Sequence, residues 1–198
     1  MQGYENWDDI QEKEIGDFPR IPADGYVMQI LKAEITQSRN GNEMLVLALE
    51  VAEGEFKDYY KAKFEQKRNF NSDAKWPCIF RQLTRGNSAG FFKRLIGNIE
   101  RSNQGYSFKG SGFDENTLKG KLIGFVFRDE EWEYNDKTDF TAKPYMSKTV
   151  ADVRNKKFDV PKPVLLDKST TNTTSKTPSA GDDMIDDSKK YDDMDVPF

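Results

Sequence analysis

Alternating apolar and polar positions predict two β-strands early in the chain. In residues 26–36 the apolar side chains occupy positions 26, 28 and 30 and then 31, 33 and 35. The inward face therefore changes parity between Ile30 and Leu31, which is what a β-bulge does in a long, bent barrel strand; a core strand with a lax pattern is the simpler alternative. Asn40 and Gly41 favour a tight hairpin turn, and residues 44–52 form a second apolar strand.

The pattern continues as strand, helix and two more strands. Residues 59–70 place Tyr60, Ala62 and Phe64 on one face and lysines on the other, which predicts a third strand. Residues 76–99 carry apolar side chains at helical spacing, with Asn87 or Ser88 as the cap of the second run. Residues 121–128 and 141–153 return to strand character around an acidic loop. The predicted fold is mainly β, a five-stranded OB-fold barrel in the order β-β-β-α-β-β.

Charge and composition divide the chain into four regions. Residues 1–24 have a net charge of −5, residues 25–158 of +5 and residues 159–198 of −4. From about residue 160 the chain is rich in Pro, Lys, Ser and Thr and has no apolar period, which is typical of a disordered tail. We therefore expect an acidic leader (1–20), an OB-fold domain (21–158), a disordered linker (159–190) and an acidic tip (191–198). A basic centre between acidic ends suits a polyanionic partner despite the overall charge of −4.

Several chemistries are missing from the sequence. Cys78 is the only cysteine and the chain has no histidine, so an intrachain disulfide, a cysteine zinc site and imidazole chemistry are excluded. We expect no cofactor, no bound metal and no enzymatic activity. The chain lacks an apolar run of about 20 residues and a signal-like leader, so we expect no membrane partner and a cytoplasmic protein, in a bacterium or in the host cell if a phage encodes it.

Basic and aromatic residues are interleaved between positions 59 and 94, with nine basic residues against two acidic ones and eight aromatic rings. Single-stranded nucleic acid requires cations along its phosphates and rings on which unpaired bases stack. A solvated cationic face over an aromatic core explains the composition equally well. Tyr59, Phe70 and Trp76 are the rings that we expect to remain outside the core. The predicted groove residues are Lys32, Arg39, Lys61, Lys63, Lys67, Arg68, Phe70, Trp76, Arg81, Trp132, Lys143, Tyr145 and Lys148.

The acidic loop at residues 129–134 offers a rival chemistry, because clustered carboxylates can hold Mg²⁺ in a nuclease. These carboxylates follow one another on a predicted hairpin loop and have no distant partners at a recognisable spacing. A solvated loop, or a rim on which Trp132 and Tyr134 stack bases, is the favoured interpretation.

The chain ends in an acidic, aromatic tip. Pro197 keeps Val196 extended, Phe198 suits an apolar pocket, and its terminal carboxylate suits a basic rim; a merely solubilising tail is the alternative. The tip resembles the C-terminus of bacterial single-stranded-DNA-binding proteins, which ends Asp-Asp-Asp-Ile-Pro-Phe and docks on replication and repair enzymes, with Met194 and Val196 as the departures. By that resemblance the interaction residues are Asp192, Asp193, Asp195, Val196, Pro197 and Phe198.

The body of the chain carries a second resemblance. The stretches 22–26 and 38–54 are similar to those of a phage protein family once described as of unknown function, whose members are thought to bind single-stranded DNA; the similarity continues more weakly through residues 118–154. We expect a non-catalytic protein that coats and protects single-stranded DNA with little base preference during replication and recombination. It would recruit repair and replication enzymes through the tip, and homo-oligomers are common among such binders. Strand annealing in recombination is the alternative function, and a protein adaptor without DNA affinity is a further one.

Overall fold

The fold of the chain is built on one antiparallel β-sheet with helices at its margins. The computed structural model describes residues 19–134 and 137–166. Its strands and helices are β1 (Gly25–Gln37), β2 (Glu43–Val51), α1 (Tyr59–Phe70), β3 (Ile79–Leu83), α2 (Ala89–Ser102), β4 (Leu122–Tyr134), β5 (Lys137–Lys148) and α3 (Val150–Arg154). Short 3-10 turns occupy Gly86–Ser88 and Glu115–Leu118.

The five strands form an open sheet in the order β3-β2-β1-β4-β5. The register of β1 against β2 shifts between Ile30 and Lys32, which confirms the bulge that the change of parity predicted. The predicted hairpin turn is also confirmed: Gly41 has a φ of 76°, and its N–H donates to the Ser38 carbonyl. The mainly β, five-stranded prediction is therefore confirmed, while the described strands form an open sheet.

Buried apolar side chains of the sheet and its helices form the core. Met28, Ile30, Leu47 and Phe125 are among its fully buried side chains, and Phe125 packs against Phe80 with ring centroids 4.6 Å apart. Every residue of β2 except the first is buried, which explains why this strand reads as a continuous apolar run. This packing fixes the sheet and therefore the positions of the side chains on its edge strands.

The prediction of a strand at residues 59–70 is wrong, because this segment is the helix α1. Tyr60 and Phe64 satisfy an alternating pattern but are also four positions apart, the spacing of one helical face, and both are buried. The Glu50 carboxylate, buried on β2, accepts hydrogen bonds from the backbone N–H groups of Tyr60 at 3.1 Å and Lys61 at 2.6 Å. These bonds satisfy donors that a helix N-terminus leaves unpaired. The cap comes from another element, so local propensity did not reveal it.

The helical prediction for residues 76–99 is wrong in its first half and confirmed in its second. Residues Ile79–Leu83 form β3, whose partner strand is β2, with Leu47 opposite Phe80. The second run is α2, although Ser88 at its start makes no side-chain capping bond. The element order is thus β-β-α-β-α-β-β-α, because α1 separates β2 from β3 and α3 follows β5.

The predicted acidic loop at residues 129–134 is also wrong, because it is the outer half of β4. Trp132 pairs with Asp139 and Glu130 with Thr141, so β4 and β5 extend as a hairpin beyond the core. This part of the hairpin covers no core, so its residues are mostly polar. The alternation of apolar and polar residues that identifies a strand is therefore absent from its sequence. Residues 150–153, predicted as the end of the last strand, belong to α3, where the Thr149 hydroxyl accepts from the Asp152 N–H.

The chain after α3 runs back along the sheet. A Cβ on Gly25 would lie 2.3 Å from the Phe158 ring, so the ring packs where only glycine leaves room. Val164, in the predicted linker, forms a parallel bridge with Glu130. The predicted leader (1–20) up to residue 18, the rest of the linker and the tip at 191–198 lie outside the described residues. Within the described ranges, no helix is long and apolar enough to span a membrane.

Candidate nucleic-acid interface

A large groove lies between α1, β3 and the β4–β5 hairpin. Its volume is about 1150 Å³, above the roughly 300–1,000 Å³ of small-molecule pockets, so its size suits an extended ligand. It has six cationic side chains against two acidic ones, Asp73 and Asp139. The cations are Arg20, Lys63, Lys67, Lys75, Arg81 and Lys143. We call this feature the groove, and its chemistry suits a polyanion.

Helix α1 forms the first wall. Lys63, Lys67 and Phe70 follow one another at spacings of four and three, so they share one helical face, which turns toward the groove. Burial, and then repulsion from Lys67, lowers the pKa of the Lys63 ammonium. The Lys63 Nζ also lies 5.7 Å from the centroid of the Tyr59 ring. Two neighbouring cations on a partly buried wall would be stabilised by a phosphate placed between them.

Strand β3 contributes Ile79 and Arg81 to the groove. Arg81 on β3 lies opposite Val46 on β2, which in turn lies opposite Glu34 on β1. Lys32, two positions from Glu34, is on the same outer face and forms an ion pair with it at 3.3 Å. Lys32 and Glu34 lie outside the groove lining, and Glu34 offsets the charge of Lys32.

Exposed aromatic rings stand on opposite sides of the groove. Phe70, at the end of α1, is 72% exposed, and Trp132, on the β4–β5 hairpin, is 41% exposed. Phe140 lines the same side, with the Arg20 guanidinium 5.8 Å from its ring centroid. Large apolar rings exposed to water gain little from folding, so their presence at both rims points to a binding role.

The expectation that Tyr59 and Trp76 stay outside the core is wrong, and for Phe70 it is confirmed. Trp76 is only 4% exposed, packs against Phe64 and donates its indole N–H to the Leu49 carbonyl at 2.9 Å. Tyr59 is also buried, and its hydroxyl accepts from the Ile21 N–H. Both residues border the groove, but burial leaves neither with an open face for a base.

The β4–β5 hairpin holds its own charge cluster. Glu130 accepts a hydrogen bond from Arg128 at 2.9 Å and forms an ion pair with Lys143, also at 2.9 Å. Burial alone would raise the pKa of Glu130, but the bonds from Arg128 and Lys143 outweigh it and hold that pKa below its usual range. The Arg128 guanidinium lies 4.1 Å from the centroid of the Tyr145 ring. Glu130 thus partly neutralises Lys143 at the groove.

The structure brings seven of the thirteen predicted groove residues together and leaves six outside. Those that line the groove are Lys63, Lys67, Phe70, Trp76, Arg81, Trp132 and Lys143. Because residues 59–70 are helical, Lys61 and Arg68 point away from the face that carries Lys63 and Lys67. The other four are elsewhere: Lys32 on the outer sheet face, Arg39 in the β1–β2 turn, Tyr145 at a smaller cavity and Lys148 at the end of β5.

Two cations and one hairpin ring of the groove were not predicted, namely Arg20, Lys75 and Phe140. Lys75 belongs to the basic stretch at 59–94, so its charge was a usable signal. Arg20 precedes β1 and reaches the groove through an ion pair with Asp129 on β4. Arg20 and Asp129 are far apart in sequence, so no local pattern predicts their contact.

In the part of the chain that the structure describes, no three His, Cys, Asp or Glu side chains cluster closely enough to hold a metal ion. Successive residues of a strand point to opposite faces, so Asp129, Glu131 and Glu133 diverge from Glu130. The carboxylates of the acidic stretch are thus divided between the two faces of β4.

One family model matches part of the chain. Residues 8–79 match a family described as a protein of unknown function (DUF669). The matched residues include β1, β2 and α1, and so one wall of the groove. None of the curated proteins compared with the chain matches it. The family description assigns no activity, so the function must be inferred from the groove.

Proposed function

We propose that the protein binds single-stranded DNA in the groove. The observation that carries this proposal is the combination of six cations against two acidic residues with exposed aromatic rings on opposite rims. Phosphates attract such cations, and base–aromatic stacking contributes about 1–3 kcal/mol per base. Both kinds of contact are supplied by the same surface.

The geometry favours a single strand over a duplex. Phe70 and Trp132 stand exposed on opposite sides of the groove, and a ring can stack only on a base whose face is open. Phosphate contacts and stacking do not depend on the base edge, so they confer little base preference. We infer that the protein coats single strands and protects them, without catalysing a reaction.

We also propose that the open sheet is the wall of an OB barrel. Such a barrel is a five-stranded, partly open Greek key that binds oligonucleotides on strands 2 and 3 and on the loops that join strands 1 to 2 and 4 to 5. Here β1 pairs with both β2 and β4, and the two edge strands β3 and β5 approach one another. The groove uses β3 and the β4–β5 hairpin, and Arg39 lies in the β1–β2 turn.

The C-terminal tip completes the proposal as a docking peptide for replication, recombination and repair enzymes. Its support is the sequence of residues 191–198, where Asp192, Asp193 and Asp195 precede Val196, Pro197 and Phe198. An apolar ring beside carboxylates suits a pocket with a basic rim. The tip would hold a partner enzyme near DNA bound in the groove.

A fluorescence-anisotropy titration tests the proposal. A labelled oligo-dT strand and its duplex are titrated with the full chain at two salt concentrations, without Mg²⁺. We expect tighter binding of the single strand and a loss of about a hundredfold in affinity over a fourfold increase in salt, as for roughly five neutralised phosphates. No binding at low salt, or equal binding of the duplex, would contradict the proposal.

A further inference from the structure

A second, smaller cavity continues the line of the groove along the same two strands. Its volume is about 100 Å³, and it lies between β3, β5 and α2. Arg81 and Lys143 line the groove, while Gln82, the next residue on β3, and Tyr145, two residues beyond Lys143 on β5, line this cavity together with Phe91. Because successive strand residues point to opposite faces, Gln82 lies on the other face of β3 from Arg81, and a strand in the groove would reach the cavity by crossing the edge strand β3 at its seam with β5.

The walls of the cavity are fixed by packing. Phe80 is held against Phe125 in the core, with ring centroids 4.6 Å apart. The Asn98 amide donates to the Ser147 hydroxyl at 2.9 Å, which ties α2 to β5. Phe91 on α2, 57% exposed, also lines the cavity. At about 100 Å³ the cavity is far below the size of a drug-like pocket and suits one small planar ring.

Two polar side chains line the cavity: Arg94 supplies hydrogen-bond donors and Gln82 supplies an acceptor. The Gln82 amide nitrogen donates to the Leu83 carbonyl at 3.0 Å, which sets the orientation of the amide and leaves its oxygen to accept. Arg94 contributes only donors. Thymine presents a carbonyl oxygen beside its ring N–H and so matches this pair, whereas cytosine presents an amino group and a bare ring nitrogen in the same positions.

We propose that this cavity takes one unpaired thymine of the strand that lies in the groove. The inference rests on the proposed function and adds to it a single position of base preference. The thymine ring packs between Phe91 and Tyr145, Arg94 donates to its O4, and the Gln82 oxygen accepts its N3–H. The rest of the strand is held without regard to sequence.

The test compares oligo-dC strands of equal length, one all cytosine and others with a single thymine moved along the strand. The full chain should bind the best-placed thymine strand about fivefold or more tightly than oligo-dC. Gln82→Leu and, as a surface variant that leaves the sheet intact, Phe91→Ala should each reduce this ratio to about one. Phe113→Ala, which removes an exposed ring outside both cavities, should leave the ratio unchanged.

The outcomes separate the two proposals. Equal affinity for every strand, with binding retained, overturns the thymine site and leaves the groove proposal standing. A ratio that persists in both Gln82→Leu and Phe91→Ala also overturns it. Failure to bind any of these strands would overturn the proposed function and this inference together.

Discussion

The body of the sheet and the rim of the groove are built on opposite principles. In the body, Phe125 and its neighbours are fully buried, and eight of the nine residues of β2 are buried. At the rim, Phe70 and Trp132 are exposed, and Lys67 stands on the solvent-facing wall. Body residues are selected by packing, whereas rim residues gain little from folding. Substitutions in the body should therefore change stability, and those at the rim should change binding.

The largest expected effect is on the body. Phe125→Ala removes a fully buried ring that packs against Phe80, and a Phe→Ala change in a core costs about 3–5 kcal/mol. Urea unfolding followed by circular dichroism measures the free energy of unfolding. Phe113→Ala, at a ring that is 62% exposed and keeps one edge contact with Phe108, should change this free energy by no more than about 1 kcal/mol. Equal losses in the two variants would contradict the contrast between body and rim.

The next effect is on binding at the rim. Trp132→Ala removes a stacking surface and should weaken oligo-dT binding by about 1–3 kcal/mol, while the free energy of unfolding stays nearly constant. Anisotropy titration at fixed salt measures the affinity, and Phe113→Ala is again the matched control. A Trp132→Ala protein with wild-type affinity would show that the hairpin rim does not stack bases.

Helix α1 allows a sharper comparison within one turn. Lys67→Glu and Arg68→Glu change the net charge equally, but only Lys67 lines the groove. We expect Lys67→Glu to weaken oligo-dT binding by about tenfold, or about 1.4 kcal/mol, and Arg68→Glu to weaken it far less. The affinities are measured over a range of salt. Equal losses would indicate a diffuse electrostatic attraction rather than a groove.

The smallest expected effect is a gain. Glu130→Gln removes the carboxylate that pairs with Lys143 and Arg128, and it should strengthen oligo-dT binding by up to about fivefold, or about 1 kcal/mol. Glu133→Gln is the control, because it makes the same charge change on the opposite face of β4. Weaker binding by Glu130→Gln would show that the carboxylate positions the cations rather than competing for them.

The elements predicted correctly from sequence are those whose pattern and burial agree. The bulge near Ile30, the turn at Gly41 and the buried strand β2 all carry a local signal in the chain. Helix α1 was missed because Tyr60 and Phe64 fit both periods and because the cap from Glu50 comes from another strand. A single sequence does not show such distant hydrogen bonds.

The candidate site was predictable to the extent that its residues are neighbours in sequence. Lys63, Lys67 and Phe70 were found in the basic, aromatic stretch, although as members of a strand. Because residues 59–70 were predicted as a strand, Lys61 was also assigned to the groove. Alternate residues share a face in a strand but not in a helix, and Lys61 therefore does not share the face of Lys63 in α1. Arg20 was missed because only the fold brings it to the hairpin.

Photocrosslinking tests most directly where the strand lies. A bromodeoxyuridine-substituted oligonucleotide is bound to the full chain and irradiated, and the modified residues are identified by mass spectrometry. We expect crosslinks at Phe70 and Trp132, on the two rims of the groove. Crosslinks confined to rings outside it, such as Phe113, would contradict the assignment of the groove as the DNA-binding site.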